Sequence, residues 1–206
     1  MKNSQIGLFG GSFNPPHNGH VSAVTRAMEA LALSRMVIMP AGCPPHKDLP
    51  PDTPSAEDRL AMARLAFAEV PGCEVSDWEM LSSGPGYTFD TLDWLRGNGF
   101  HPTLIVGSDM LLTLHEWHRV DELLAFTRVA ALVRAADQET VMRRQAAFLA
   151  HRYGAAIDWI DHTPVEISSS EIRTALRRGQ GKDHLPEPVA AYIQKKHLYG
   201  VTADDA

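Results

Sequence analysis

Cysteine is scarce in this 206-residue chain, which holds only Cys43 and Cys73. The two form no C-x-x-C motif, so free thiols in a reducing compartment fit better than a disulfide framework. Long uncharged apolar runs are also missing. Asp121, Glu122 and Arg128 interrupt the region around Leu123 to Val133, and the N-terminus offers Lys2 and a short apolar stretch, Ile6 to Phe9, with neither a signal-peptide core nor a cleavage site. These absences argue against a membrane partner and predict a cytoplasmic protein. Positive charge is in deficit, with 19 Lys+Arg against 25 Asp+Glu and a net charge of −6. A polyanion would be repelled at long range, which argues against nucleic acid as a partner. What is present, 44% hydrophobic and 21% charged residues, is the composition of a globular protein able to bury a sizeable core. The length fits one domain with a small appendage and leaves the oligomeric state open, a homo-oligomer included.

Apolar β-forming runs alternate with helix-period segments, the pattern of a parallel sheet covered by helices. Strands are expected at Gln5 to Phe9, Met36 to Met39, Cys73 to Ser76, Thr103 to Val106, Val129 to Val133 and Ile157 to Ile160. After Gly19, a stripe of Val21, Val24, Met28 and Leu31 predicts an amphipathic helix. Ser55 and Asp58 form a capping-box pattern ahead of Leu60, Ala63 and Phe67. A further helix is expected over Thr88 to Arg96, with Gly97 at its C-terminal cap. The proline-rich run from Pro44 to Pro54 reads as a loop at the C-terminal end of the second strand, the edge where open α/β sheets bind ligands. From Ser168 onward only helix patterns remain, Ser169 to Arg178 and Glu187 to Lys196. The fold expected is α/β: a Rossmann-like doubly wound parallel sheet over residues 1–167, with a helical C-terminal segment at 168–206.

Two constellations carry chemistry. The first strand runs into Gly10-Gly11-Ser12-Phe13-Asn14-Pro15-Pro16-His17-Asn18-Gly19-His20, and a helix follows. Glycines let backbone amides approach a phosphate, and the helix start adds unpaired N–H groups and a positive dipole end. His17 and His20 can donate to the same anion, and Gly19 removes the side chain that would screen them. Neither a P-loop lysine nor a G-x-G-x-x-G fingerprint is present. The second constellation is Ile167-Ser168-Ser169-Ser170-Glu171-Ile172-Arg173. Ser168 and Glu171 make a capping box, while Ser169 and Arg173, four residues apart, share the face beside the first-turn amides. Read alone, this is a capped helix with a surface arginine; beside the histidine loop it is a second anion site.

Together these motifs resemble the nucleotidyltransferase superfamily with H-x-G-H and I-S-S-x-x-x-R motifs, and within it the bacterial nicotinate-nucleotide adenylyltransferase family. Pro44-Pro45-His46-Lys47, Tyr87-Thr88-Phe89-Asp90-Thr91-Leu92, Gly107-Ser108-Asp109, Trp117 and Leu185-Pro186 ahead of Val189 and Tyr192-Ile193 fall in that family's order. The resemblance covers nearly the whole chain. It implies adenylyl transfer from ATP to nicotinate mononucleotide, giving nicotinate adenine dinucleotide and pyrophosphate on the path to NAD, with Mg²⁺ held mainly through the ATP phosphates. The ATP site it implies comprises Gly10, Gly11, Ser12, Phe13, His17, Gly19, His20, Ser169, Ser170 and Arg173. His17, His20 and Arg173 carry the transfer, His20 at the α-phosphate and Arg173 with Ser169 at the β/γ-phosphates. On the acceptor side, His46 and Lys47 meet the mononucleotide phosphate, Trp117 stacks on the pyridine ring, and Thr88 with the amide of His118 takes its carboxylate. Asp109, just past a strand end, suits ribose hydroxyls.

The chain departs from the family pattern at Asn14, where Asp is commoner, which puts any metal-directed role of that position in doubt. At His118 related enzymes carry Tyr, a harmless change if the contact is made by the backbone. His115-Glu116-Trp117-His118 does not complete a zinc H-E-x-x-H motif, because residue 119 is Arg119. No protein metal ligand is therefore assigned. Two rivals stand beside this reading: a sister adenylyltransferase acting on phosphopantetheine, and a non-catalytic module that binds adenine nucleotides.

Overall fold

The computed structural model describes residues 5–42, 50–82, 84–133, 139–162 and 167–201. The chain alternates strand and helix: β1 (Ile6–Gly11), α1 (Asn18–Ala30), β2 (Arg35–Pro40), α2 (Ala56–Phe67), β3 (Cys73–Val75), α3 (Trp78–Leu81), α4 (Thr88–Gly97) and β4 (Thr103–Gly107). It continues through α5 (Ser108–Thr113), α6 (Val120–Phe126), β5 (Val129–Val133), α7 (Glu139–Tyr153), β6 (Ile157–Asp161), α8 (Ser169–Leu176) and α9 (Glu187–Lys195). The six strands form one sheet in the order β3-β2-β1-β4-β5-β6, every pair parallel. After β3 the chain returns to the other side of β1, so β1 and β4 flank a topological switch point, where Phe9 pairs with Ile38 on one side and Ile105 on the other.

Burial on both faces explains the strands' continuous apolar character. Leu8, Val37, Leu104, Val106 and Val129 pack with α4 to α7, whereas Phe9, Ile38, Ile105, Ala130 and Leu132 pack with α1, α2, α8 and α9. The alternation is the period-2 pleat, and each fully buried aliphatic side chain contributes about 1.5–3 kcal/mol relative to exposure. Ile172, Leu176, Val189, Ile193, Tyr199 and Val201 of the C-terminal segment join the same core as α1 and α2.

All six expected strands are present, but helix faces differ from the sequence reading. In α1 the buried positions are Ala23, Val24 and Ala27, with Val21, Met28 and Leu31 flanking them, because small residues let the helix sit close to the sheet. In α2 the buried stripe is Arg59, Met62, Ala63, Ala66 and Phe67, so an arginine occupies a core position and Leu60 is only half-buried. The turn closing α4 falls two residues later than expected, with the left-handed C′ position at Gly99 rather than Gly97. Asn98 caps it and Gly99, at φ +81, takes the left-handed position, with Gly99 N–H donating to Arg96 O and Phe100 N–H to Leu95 O. Helices α3, α5, α6 and α7 lacked a distinct sequence signature.

Candidate active site

His17 is the N-cap of α1, with an extended φ of −144, and His20 lies in the helix's first turn. The His17 backbone N–H donates to His20 Nδ1 at 3.2 Å, so the imidazole takes the place a Glu side chain holds in a capping box. An Nδ1 that accepts carries no proton, which in the neutral ring leaves the N–H at Nε2. The rings of His17 and His20 lie 3.8 Å apart between centroids. Burial pushes the His17 pKa down to about 4, helped by nearby His184, so His17 is a neutral donor around pH 7.

The second motif closes on this turn from across the sequence. Ser169 Oγ donates to Pro15 O at 2.9 Å, and Arg173 Nη1 donates to Asn14 O at 2.7 Å. The Ser168–Glu171 capping box forms as expected: Ser168 N–H donates to Glu171 Oε2 at 2.7 Å and Glu171 N–H to Ser168 Oγ at 3.2 Å. Ser170 is exposed on the same first turn. Phe13 was expected to contact ATP; instead its ring is buried between Phe9, Phe67 and His20, where it backs the His20 imidazole at 5.2 Å. Any nucleotide contact by this residue is left to its backbone. Asn14 is 1% exposed: its Nδ2 donates to Thr53 Oγ1 at 3.0 Å and its Oδ1 accepts from Tyr199 Oη at 2.8 Å. Both ends of that amide are thus engaged within the fold. Among the described residues, no group of three His, Cys, Asp or Glu side chains is placed to hold a metal.

Four of the expected acceptor residues, Thr88, Asp109, Trp117 and His118, line a cleft of about 310 Å³ at the switch point. Its wall includes Gly10, Gly11 and Ser12 from the end of β1, Thr88 at the start of α4, and Asp109, Trp117 and His118 beyond β4. Gly10 to Ser12 thus line this cleft and lead into the histidine turn. Tyr87 stacks on His118, with centroids 4.2 Å apart. The Asp109 carboxylate folds over Gly107, where a Cβ would meet Oδ1 at 2.8 Å. His46 and Lys47 lie outside the described residues, as does Cys43.

Three residues escaped the sequence reading. Arg59 is buried, with Nη1 donating to Ser12 O (3.0 Å) and Ala41 O (2.6 Å) and Nη2 to Gly42 O (3.0 Å). Its i+3, i+4 and i+7 neighbours Met62, Ala63 and Ala66 are apolar, the one signal that placed it on a buried face. Glu79, on the cleft wall, accepts from Thr91 Oγ1 at 2.5 Å, and burial pushes its pKa up to about 7 with repulsion from Asp90 adding to the rise. Tyr199 is the third, and no local pattern marks a residue that reaches Asn14 across most of the chain.

A parallel sheet whose switch point carries a turn bearing histidines and an arginine beside an aromatic cleft has the form of a nucleotide-handling α/β protein. Residues 8–175 match the cytidylyltransferase-like family. The chain is 38% identical over 202 residues to the probable nicotinate-nucleotide adenylyltransferase of Carboxydothermus hydrogenoformans, covering 97% of this chain and 100% of that one. It is also 38% identical over 213 residues to the enzyme of that name from Aeromonas salmonicida, covering 97% and 99%. The chain belongs to the cytidylyltransferase-like family and, within it, to the nicotinate-nucleotide adenylyltransferases, which are nucleotidyltransferase enzymes. Among solved structures, it resembles Plasmodium falciparum nicotinic acid mononucleotide adenylyltransferase complexed with NaAD, with a TM-score of 0.76 over 97% of this chain and 99% of that one. At 17% identity, that likeness reports on the fold alone. No helix among the described residues is long and apolar enough to cross a membrane.

Proposed function

We propose that this protein transfers the adenylyl group of ATP to nicotinate mononucleotide, forming nicotinate adenine dinucleotide and pyrophosphate in NAD biosynthesis. The observation that carries the reading is the shared wall: Gly10 to Ser12 line the aromatic cleft and continue into the His17–His20 turn. A pyridine mononucleotide in the cleft and a triphosphate on the turn therefore meet at one strand end. Membership in the family supports the choice of reaction.

In the reaction, a phosphate oxygen of the mononucleotide attacks the α-phosphorus of ATP in line. The bond from that phosphorus to the bridging oxygen of the β-phosphate breaks, and pyrophosphate leaves with the electron pair. Such a transfer needs alignment and charge stabilisation and no protein nucleophile. His20 Nε2–H faces the α-phosphate with His17 beside it, and Arg173, Ser169 and Ser170 hold the β/γ-phosphates. His46 and Lys47 meet the acceptor phosphate, and Asp109 takes ribose hydroxyls. Mg²⁺ bound to ATP supplies further charge neutralisation. Neutral and cationic side chains around the triphosphate, with the Asn14 amide turned to Tyr199 and Thr53, fit a metal held by phosphate oxygens better than one held by carboxylates.

The acceptor side discriminates by charge. The first-turn N–H groups of α4 at Thr88 and the N–H of His118 favour the nicotinate carboxylate, whereas a nicotinamide NH₂ would face donors. Since a buried donor without an acceptor costs about 1–3 kcal/mol, nicotinate mononucleotide should be preferred by roughly tenfold to several thousandfold in kcat/KM. Pyrophosphate release from ATP with nicotinate mononucleotide, nicotinamide mononucleotide and phosphopantetheine checks this. Thr88→Val keeps the backbone amide and should narrow the ratio only in part. Equal use of the two pyridine nucleotides, or a preference for phosphopantetheine, would overturn the assignment, and an absence of transfer to all three would favour the binding-module reading.

A further inference from the structure

The chain leaves the C-terminal ends of β1 and β2 side by side: Gly11 pairs with Pro40, and Ala41 N–H donates to Gly11 O at 2.8 Å. From there the two strands diverge, β1 into the histidine turn and β2 along the cleft wall, where Ala41 lies. Past that bond, no backbone hydrogen bond among the described residues fixes their separation. One guanidinium does so instead. Arg59 reaches from a core position of α2 and donates to Ser12 O on the first branch and to Ala41 O and Gly42 O on the second. Gly42 is also pressed against α3, where a Cβ would stand 2.4 Å from Glu79 O, and Glu79 is held in turn by Thr91 of α4. A continuous set of contacts thus runs from the phosphate turn at Ser12, through Arg59, Gly42, Glu79 and Thr91, to the helix whose first residue is Thr88.

We infer that Arg59 is a positioning residue for adenylyl transfer, setting the distance between the phosphate-binding turn at Ser12 and the acceptor-cleft wall at Ala41–Gly42. The inference rests on the adenylyl-transfer reading above. The chemistry favours a guanidinium: Nη1 joins the two branches at Ser12 O and Ala41 O while Nη2 reaches Gly42 O from a second point of the same plane, a three-carbonyl arrangement that a single ammonium nitrogen does not reproduce. Either half-site keeps its own donors without Arg59, so each substrate alone still binds. What is lost is their mutual alignment, and a misplacement of about 1 Å costs roughly 10²-fold in an in-line reaction.

The test compares wild type, Arg59→Lys and Arg59→Met in steady-state kinetics with ATP and nicotinate mononucleotide, alongside calorimetric binding of Mg²⁺-ATP alone and melting temperatures. With assays run well below each melting temperature, Arg59→Met should lose about 10²-fold in kcat while its affinity for ATP alone stays within about threefold of wild type. Arg59→Lys, which keeps the charge and one corner of the fork, should fall between the two. A kcat within threefold of wild type in both folded variants would overturn the inference, as would a loss of kcat matched by an equal loss of ATP affinity. Failure of both variants to fold would make Arg59 a folding element and overturn it too. Wild-type protein that transfers no adenylyl group at all would instead sink the reading on which the inference rests.

Discussion

The two half-sites at this sheet edge are built by opposite means. On the phosphate side polar groups are buried and cross-braced: Asn14 is held by Tyr199, Thr53 and Arg173, and Ser169 bonds Pro15. On the acceptor side the stacked Tyr87–His118 pair, half-buried Trp117 and exposed Asp109 and Met110 border an open cleft. Moving a phosphoryl charge rewards donors fixed beforehand, since donors that reorganise during the reaction give back much of what they stabilise. Binding a flat ring rewards apolar area and one helix start, and it tolerates side chains that settle onto the ligand.

The largest expected effect tests that division directly. If His20 meets the reacting phosphate as proposed, His20→Ala should lower kcat by roughly 10²–10³-fold, with a smaller change in either KM. Trp117→Ala removes stacking area and should act mainly on the KM of the acceptor. Steady-state kinetics on both variants decide it. Should the two substitutions affect kcat and KM in the same proportion, the functional contrast between the half-sites would not hold.

The half-sites also oppose each other in pH dependence. Buried His17 has a pKa of about 4 against an ordinary 6.5, so below pH 6.5 the unfolded chain binds the proton that the folded chain refuses, and stability is lost as pH falls toward 4. Glu79 has a pKa of about 7 against an ordinary 4.5, so the folded chain holds a proton the unfolded chain gives up, and stability is lost as pH rises from 4.5 toward 7. Each swing amounts to roughly 3 kcal/mol, and between pH 4.5 and 6.5 the two offset. Urea unfolding across that window should show His17→Asn gaining stability relative to wild type as pH falls, and Glu79→Gln gaining relative to wild type as pH rises. Difference curves cancel the titrations common to all three proteins. Parallel curves for wild type and either variant would show that the substituted group is not desolvated in the fold.

The sequence was informative where function depends on local pattern. Apolar β-forming runs located the six strands, and the glycine turn, H-x-G-H and the Ser168–Glu171 box marked the two segments that the fold brings together at Asn14 and Pro15, because a cap or a strand–turn–helix junction is written in neighbouring residues. It was silent where a side chain acts across the fold. Nothing local to Arg59 says that three carbonyls wait at the end of its reach. Only the packing of α3 against Gly42 and α4 reveals Glu79 as a buried acid. In α1, periodicity found the helix but shifted the face, because the alanines that allow close approach to the sheet carry a weak hydrophobic signal beside Met28 and Leu31. Such bracing residues are fixed by tertiary contacts, and a motif search sees only the groups they support.

The smallest expected effect isolates bracing from binding. Tyr199 Oη donates to Asn14 on the phosphate side, and burial pushes its phenol pKa far up, so it remains a donor at every working pH. Tyr199→Phe keeps the ring and removes the hydroxyl, leaving Asn14 Oδ1 buried with one partner fewer. The cost expected is about 1–2 kcal/mol, a fall of roughly 2–8 °C in Tm for a chain of this size. Because Asn14 O is also the anchor for Arg173, loosening Asn14 should raise the KM for ATP severalfold while leaving the KM for the mononucleotide unchanged. Calorimetry and two-substrate kinetics on the one variant read both. An unchanged Tm together with an unchanged KM for ATP would mean that the phosphate turn holds its shape without this brace, and the contrast would then rest on His20 and Arg173 themselves.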